Sequence, residues 1–302
     1  MELVSKVRKN SWLFLRRAIK ELVSHDDSKD EALTEETATI TTTFIQIAFE
    51  LSLVAHFIKK DGIHGIVKES DYSLTEEELL AKFDDNDLDT KSFNSLKKQA
   101  IDNHLFLRDD DEQVIHNFQK VRNKLVHLNY KFDAWDLYDF KYDLVYFIVK
   151  IIIPILSEEY ENPSAAISTN LDSKDFVKLI NFPPYAYEMY KVAKEQSDFV
   201  YECIHCGNES LAVDYGNELC YSCCSDFTGA GFIDCPYCKS RGAMIYDALN
   251  IDAQDDFTIK SLCLKCKEDD MVYHCKKCDA EVALEAYAGR GKCHFGYCEW
   301  NE

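Results

Sequence analysis

Apolar side chains recur at helical spacing through the first two hundred residues. They return every three or four positions, which places them along one face of a helix. The pattern predicts helices over residues 3–24, 34–60, 89–103, 113–128 and 134–156, with shorter helices that open at Thr75, Ser173 and Tyr185. Polar stretches separate these segments, so the first part of the chain is predicted to be an all-α helical bundle.

The helical pattern weakens after residue 156. Residues 157–171 form a predicted hinge, and Phe182-Pro183-Pro184 is a second break. All thirteen cysteines of the chain follow these breaks. The sequence therefore predicts a multidomain protein. Its parts are an all-α bundle over residues 1–160, a linker with connecting helices over residues 161–200, and small β-rich zinc ribbons over residues 201–302.

The cysteines form pairs with the spacing of metal-binding turns. Two residues between two cysteines allow one tight turn to present both sulfurs to the same ion, and two such turns complete a tetrahedral site. The six pairs, taken in chain order, give these ligand sets: Cys203, Cys206, Cys220 and Cys223; Cys235, Cys238, Cys263 and Cys266; Cys275, Cys278, Cys293 and Cys298. Closure by four sulfurs is typical of structural zinc, so the sequence predicts three structural Zn²⁺ ions.

The sequence leaves several alternatives to this ligand set open. Cys224 adjoins Cys223 and can replace it, and His274 or His294 can enter the third site. Iron in a rubredoxin-like centre is held by the same four thiolates. The pairs can also cross between neighbouring turns instead of combining in chain order.

The acidic net charge of the chain limits which partners it can bind. The chain carries a formal charge of -20, which argues against diffuse binding to DNA or to an anionic membrane. The ribbons are therefore expected to contact another protein or to pack onto the helical domain, and not to hold nucleic acid. The most apolar run, Leu144 to Leu156, contains Lys150 and is shorter than the ~20 residues of a membrane span. With no signal peptide pattern at the start, we expect a cytoplasmic protein without membrane contact, in a compartment where cysteines bind metal.

Two stretches depart from the acidic composition. The polar positions of the first predicted helix are mainly basic: Lys6, Arg8, Lys9, Arg16, Arg17 and Lys20. They form either a solvated helix face or a contact surface for phosphates or for an acidic partner. The second stretch lies between Glu112 and Asp133, which contains no acid but holds Lys120, Arg122, Lys124 and Lys131.

This second stretch contains a combination of residues that can act on a phosphodiester. His127 has an imidazole that exchanges protons near neutral pH. Arg122 can hold a phosphate and the charge that develops on it. Asn123 lies four residues before His127, on the same helix face, and can orient the ring or a phosphate. The structural alternative is that Arg122 and His127 cap a buried helix and pair with the aspartates of residues 133–139.

The segment from Phe118 to Tyr130 resembles the signature of HEPN domains. That signature is an arginine, often followed by a polar residue, and a histidine four to six residues after the arginine, on a late helix of an all-α domain. Arg122, Asn123 and His127 fit it. The acidic residue often found on an earlier helix of these domains corresponds to Glu50. The resemblance covers residues 1–160.

The resemblance implies a metal-independent endoribonuclease that acts as a homodimer through the helical domain. The catalytic set would be Arg122, His127, Asn123 and Glu50. The substrate would be tRNA or another RNA, and the products would carry 2′,3′-cyclic phosphate and 5′-hydroxyl ends. It also implies a role in stress response or antiviral defence, with zinc ribbons that select the target or sense a protein partner. The rivals are a non-catalytic dimeric adaptor and a regulator that binds nucleic acid through its ribbons.

Overall fold

The structure is a computed structural model that describes residues 2–24, 32–85, 87–105, 110–127, 132, 134–160, 162–214, 218–248, 257–275 and 280–283. The chain divides into two compact units, residues 1–188 and residues 189–302. The first unit is helical, and the second contains small antiparallel sheets. The predicted order of an all-α part and a β-rich part is therefore confirmed.

The helices of the described residues follow the predicted periods closely. They are α1 Glu2–Val23, α2 Glu35–Asp61, α3 Glu76–Asp84, α4 Phe93–Asp102, α5 Asp111–His127, α6 Ala134–Tyr146, α7 Ile153–Leu156, α8 Pro163–Asn170, α9 Ser173–Ile180 and α10 Pro183–Gln196. Short 3₁₀ turns cover Ile63–Ile66 and Glu69–Asp71. Helix α8 lies inside the stretch predicted as a hinge, because Asn162 caps it and Pro163 occupies its first turn.

Two predicted helix boundaries follow from side-chain chemistry. Helix α2 ends at Asp61 and is capped by Gly62, whose φ of +67° favours glycine and whose N–H donates to Ile58 O at 3.0 Å. Helix α3 begins after Thr75, which accepts from Glu78 N at 3.3 Å while Glu78 Oε2 accepts from Thr75 N at 2.7 Å. The cap at Thr75 is as predicted, and the structure adds the reciprocal bond to Glu78, which completes a capping box.

Helix α10 begins at Pro183, within the predicted break and before the predicted start at Tyr185. Two predicted N-caps are also wrong. Asp89 was the expected start of α4, but its carbonyl accepts from Lys68 N at 3.1 Å in an extended pairing, and Ser92 caps the helix instead. Helix α9 is capped by Asp172 and not by Ser173, because the Asp172 carboxylate accepts from two backbone N–H groups of the first turn.

The predicted helix over residues 134–156 is a single rod with a wider turn in its middle. Residues Phe147–Ile152 are π-helical, and Ile153 N–H donates to Ile148 O, five residues earlier. Pro154 follows directly. Its ring would clash with the carbonyl four residues before it in a regular α-helix, and the wider turn removes that clash.

Four phenylalanines connect α2, α4, α5 and this π-helical segment. The ring of Phe118 stacks on Phe147 with centroids 4.2 Å apart. Phe49 packs edge-on against Phe147 at 5.2 Å and against Phe93 at 5.6 Å. Phe49 and Phe147 are fully buried. This phenylalanine cluster fixes the position of α5 against α2.

We expect Phe147→Ala to lower the free energy of unfolding of the helical unit by about 3–5 kcal/mol, since the ring is fully buried between two others. Urea denaturation followed by circular dichroism measures the change. Leu13→Ala is the matched control, because Leu13 is 55% exposed and its loss should change stability by about 0.5 kcal/mol or less. Equal effects of the two substitutions would show that the cluster does not stabilise the unit.

Helix α2 is also the one described helix that is long and apolar enough to cross a membrane. In its most apolar window, 56% is buried inside the protein. The helix packs against α1, α4 and α5, and Ser11 on α1 donates to Ala48 O at 2.7 Å. Its apolar length is therefore used in the core of the first unit.

The second unit contains two described sheets. The first has the order β1-β2-β3, with strands Val200–Glu202, Glu209–Ala212 and Leu219–Cys220. The second has the order β4-β5-β6-β7-β8, with strands Ala230–Ile233, Met244–Asp247, Phe257–Cys263, Asp269–Cys275 and Ala280–Ala283. Every neighbouring pair is antiparallel. Because β7 pairs with both β6 and β8, the stretches predicted as the second and third ribbons share one sheet.

Candidate metal centres and the motif helix

Two clusters of four cysteines lie in the second unit. The first cluster contains Cys203, Cys206, Cys220 and Cys223, and the second contains Cys235, Cys238, Cys263 and Cys266. In each cluster all four sulfurs lie within 4.8 Å of one another. Among the described residues, the pairs therefore combine in chain order and do not cross.

The sulfur spacing fits a tetrahedral metal ion. Cys203 Sγ lies 3.8 Å from Cys223 Sγ, and Cys206 Sγ lies 3.7 Å from Cys220 Sγ. In the second cluster the Cys235–Cys266 and Cys238–Cys263 sulfur distances are both 3.7 Å. Sulfurs that surround Zn²⁺ at about 2.3 Å in a tetrahedron lie roughly 3.8 Å apart. Either cluster could therefore hold one metal ion, and four thiolates with no open position favour zinc in a structural role.

One backbone geometry repeats in all four cysteine turns. In each turn the N–H of the residue after the second cysteine donates to the carbonyl of the first cysteine, at 2.8–3.0 Å. That residue has a left-handed backbone: Gly207 (φ +76°), Cys224 (φ +61°), Lys239 (φ +58°) and Lys267 (φ +64°). The repeated turn explains why two residues separate the cysteines, since this closure points both sulfurs to the same side.

The position of Cys224 follows from this geometry. Cys223 Sγ belongs to the first cluster, whereas Cys224 is the left-handed residue that closes the turn. Its N–H donates to Cys220 O at 2.9 Å. The structure therefore places Cys223 in the cluster and gives its neighbour a backbone role.

Serine side chains support the sulfurs, and the sequence interpretation did not include them. Ser225 Oγ lies 3.0 Å from Cys223 Sγ, and Ser210 Oγ lies 3.3 Å from Cys220 Sγ. Burial raises the pKa of the Cys238 thiol. Hydrogen bonds from Ser240, together with those from neighbouring thiols, outweigh this effect and lower the pKa to about 6. Ser225 and Ser240 both stand two residues after the second cysteine of a turn, so a repeated Cys-x-Ser pattern was the available signal.

The thiols of the first cluster depend on one another for their ionisation. Hydrogen bonds from Cys203 and Cys206 lower the pKa of the Cys220 thiol to about 7. The hydrogen bonds with Cys203 and its other neighbours raise the pKa of Cys206. The first sulfur to ionise accepts bonds from thiols that then keep their protons. A divalent cation between the four sulfurs favours the ionised form of every one of them.

Both clusters belong to the core of the second unit. The first cysteine of each turn is buried, namely Cys203, Cys220, Cys235 and Cys263. The second cysteine of each turn is half-buried. Leu211, Met244 and Leu264 pack in the same core. Since the sulfurs occupy the centre of a small core, metal binding and folding are coupled in this unit.

The predicted third centre lies outside the residues whose side chains are described. Cys275 ends β7, where its backbone partner is Ala280 in β8. Cys278, Cys293 and Cys298 are outside the described residues. His274 belongs to β7 and His294 to the undescribed end, so neither is placed relative to a metal ion.

The predicted catalytic residues lie on two neighbouring helices of the first unit. Arg122 and Asn123 are on α5, where Arg122 Nη1 donates to Asn123 Oδ1 at 3.1 Å. His127 is the last residue of α5, and its side chain is outside the described part of the chain. Glu50 is on α2, half-buried, and its Oε1 accepts from Gln46 Nε2 at 2.9 Å. The structure thus brings Arg122 and Asn123 into contact and places Glu50 on a helix that packs against theirs.

Comparisons with known proteins add no family assignment. No family model matches the chain, and neither the curated proteins nor the solved structures contain a match to it. The two cysteine clusters and the motif helix α5 are therefore the features of the chain that indicate its function.

Proposed function

We propose that the helical unit is a HEPN-type endoribonuclease domain that acts as a homodimer and needs no metal for its chemistry. The observation that supports this most is the placement of Arg122, Asn123 and His127 together on the last turns of one helix of an all-α unit. The phenylalanine cluster holds that helix against α2, which carries Glu50 next to Phe49.

The proposed chemistry is transfer of a phosphodiester within the RNA strand. The ribose 2′-oxygen attacks the adjacent phosphorus and loses its proton to one His127, while the bond from phosphorus to the 5′-oxygen breaks. A second His127, from the other subunit, donates a proton to that leaving oxygen. The products carry a 2′,3′-cyclic phosphate and a 5′-hydroxyl. Arg122 stabilises the charge on the phosphate oxygens, and Asn123 holds its guanidinium in position.

The charge around the motif supports binding of an RNA phosphate. In a chain with a formal charge of -20, no acid occurs between Glu112 and Asp133. Lys120 on the same helix is exposed, and Lys97 on α4 donates to Gln119 Oε1 at 2.6 Å, beside it. Local positive charge of this kind attracts a polyanion to one part of an otherwise acidic protein.

We assign zinc to the cysteine clusters and a targeting role to the ribbons. Two clusters have the geometry of structural sites, and a third set of four cysteines follows the same spacing rule in the sequence. The closed sulfur shells leave no position for a reacting group, so the ribbons support recognition and not cleavage. In this proposal they bring the nuclease to its RNA or to a regulatory protein during stress or antiviral defence.

A groove in the second unit favours a second candidate, a non-catalytic adaptor. The groove has a volume of about 720 Å³ and combines apolar residues with Asp226, Asp247 and Asp269, of which Asp269 pairs with Lys260 of the same groove at 3.0 Å. Ile204 at its edge is 50% exposed. This surface fits a peptide with apolar and basic side chains. In the adaptor, function would not depend on His127.

Cleavage of tRNA and of unstructured RNA with EDTA present tests the proposal. Products with cyclic phosphate ends, formed faster than the chelator removes metal from the ribbons, would support a metal-independent site. The dependence on His127 then separates the nuclease from the adaptor.

A further inference from the structure

The first unit contains a basic cleft between the start of α1, the end of α2 and the segment after α7. Its volume is about 920 Å³. The charged side chains that line it are Arg8, Lys9, Arg16, Lys59 and Glu159. Four of these five are cations, in a chain that has 54 acids and 34 bases. The cleft therefore concentrates positive charge where the rest of the protein is negative.

The carboxylate of Glu158 faces two cations that line the cleft, Lys59 and Arg8, and the ring of His56. Lys59 donates to Glu158 Oε2, His56 Nδ1 lies 3.4 Å from Glu158 Oε1, and Arg8 Nη2 lies 3.8 Å from the same oxygen. Hydrogen bonds and charge from Lys59 lower the pKa of Glu158 despite partial burial, so the carboxylate is ionised at neutral pH. Two of the cations that line the cleft, Arg8 and Lys59, therefore already face one anion, the Glu158 carboxylate.

The hydrogen bonds of Arg8 are incomplete in this arrangement. Its ion pairs to Glu158 and Glu159 are both 3.8 Å long, beyond hydrogen-bonding distance. Its Nε and Nη2 atoms are buried and have no hydrogen-bond partner. A planar guanidinium donates best in pairs to the oxygens of a phosphate or carboxylate. Arg8 is therefore oriented for an oxyanion that can approach more closely than either glutamate does.

The remaining walls of the cleft suit the rest of a nucleotide. Tyr160 is 36% exposed and supplies aromatic surface, and the largely buried Trp12 also lines the cleft. Asn170 supplies an amide group to the same cleft, which the buried Ser157 also lines. The volume lies within the roughly 300–1,000 Å³ of small-ligand sites and is larger than inorganic phosphate needs.

We propose that this cleft binds a nucleoside phosphate, whose phosphate displaces the Glu158 carboxylate from Arg8 and Lys59. The ligand is either a free nucleotide or one unit of an RNA strand, because both present the same groups. None of the residues that line the cleft belongs to residues 122–127, so this inference does not depend on the proposed ribonuclease activity.

Calorimetric titration of the full chain with ADP, with pyrophosphate and with a uridylate decamer tests the proposal. We expect ADP to bind more tightly than pyrophosphate. Arg8→Gln should lower the affinity for ADP about tenfold or more, because a charged hydrogen-bond donor is lost. Glu158→Gln should strengthen it about two- to fivefold, because the competing carboxylate is removed. Lys68→Gln is the matched control, since Lys68 forms an exposed pair with Asp89 away from the cleft.

The relative affinities of the three ligands and of the variants distinguish the possible results. A tighter complex with the decamer than with ADP identifies an RNA strand as the source of the phosphate, and the reverse identifies a free nucleotide. Equal affinity of ADP and pyrophosphate would overturn the nucleoside part of the proposal. Equal effects of Arg8→Gln and Lys68→Gln, weaker binding by Glu158→Gln, or no binding of either ligand would overturn the site itself. Binding that persists in Arg122→Ala keeps this result independent of the nuclease test.

Discussion

Replacing His127 with alanine is expected to abolish RNA cleavage while the helical unit stays folded. The loss should be about 10²–10⁴-fold, the usual contribution of a general acid or base. Arg122→Ala should lower the rate about 10²–10³-fold, because the charge that develops on the phosphate loses its stabilising donor. The rates are measured on tRNA with EDTA present, after circular dichroism and sedimentation have shown matched folding and dimer content.

His116→Ala is the control for the histidine substitution. His116 is on the same helix and is exposed, so its loss changes the same residue type without removing the proposed base. Full activity of His116→Ala together with inactive His127→Ala and Arg122→Ala would support the composite site. If all four proteins cut RNA equally, the activity lies elsewhere. If the wild type cuts neither tRNA nor unstructured RNA, the non-catalytic adaptor becomes the better interpretation.

Cys223→Ser is expected to remove one metal ion from the protein and to unfold the first ribbon. A serine hydroxyl is a poor zinc ligand, and the remaining three thiols would leave a buried site incomplete. Structural zinc contributes about 10–16 kcal/mol of binding free energy in small zinc domains, so most of the order in strands β1–β3 should be lost. Elemental analysis gives the metal content, and amide hydrogen exchange of residues 200–223 gives the loss of order.

Cys224→Ser is the neighbouring control for this experiment. Cys224 closes the turn with its backbone, and its sulfur is not in the cluster. The substituted protein should therefore keep the wild-type metal content. Loss of metal in Cys224→Ser with retention in Cys223→Ser would reverse the ligand assignment, and loss of iron instead of zinc would change the identity of the metal.

The helices were predictable from sequence wherever apolar residues repeat on one face and a local cap is present. Thr75 with Glu78 is such a case, because both partners lie within four residues. The predicted start of α4 was wrong, because the Asp89 carboxylate accepts a hydrogen bond from Lys68, which is 21 residues away. The π-helical turn was missed for another reason. Pro154 signals a distortion, but its form depends on what the helix packs against.

The site shows the same division between local and distant information. The cysteine turns could be predicted from their spacing, since both ligands of a turn are near in sequence. The basic face of α1 could be predicted from the sequence, but not whether it is a solvated surface or a contact for phosphate. Its acidic partner could not be predicted, because Glu158 pairs with Arg8 of α1 from a distant part of the sequence. Only the folded chain shows that these charges meet at one cleft.

The π-helical segment before Pro154 gives this chain a marker for tracing its ancestry. A π-turn behaves as a one-residue insertion in an α-helix. Deleting one residue between Phe147 and Pro154 would rotate the flanking side chains by about 100° relative to each other. Phe147 would then leave the stack that it forms with Phe118. Distant homologues that retain the proline and the stacked rings should therefore retain this insertion, even where the rest of their sequence has diverged.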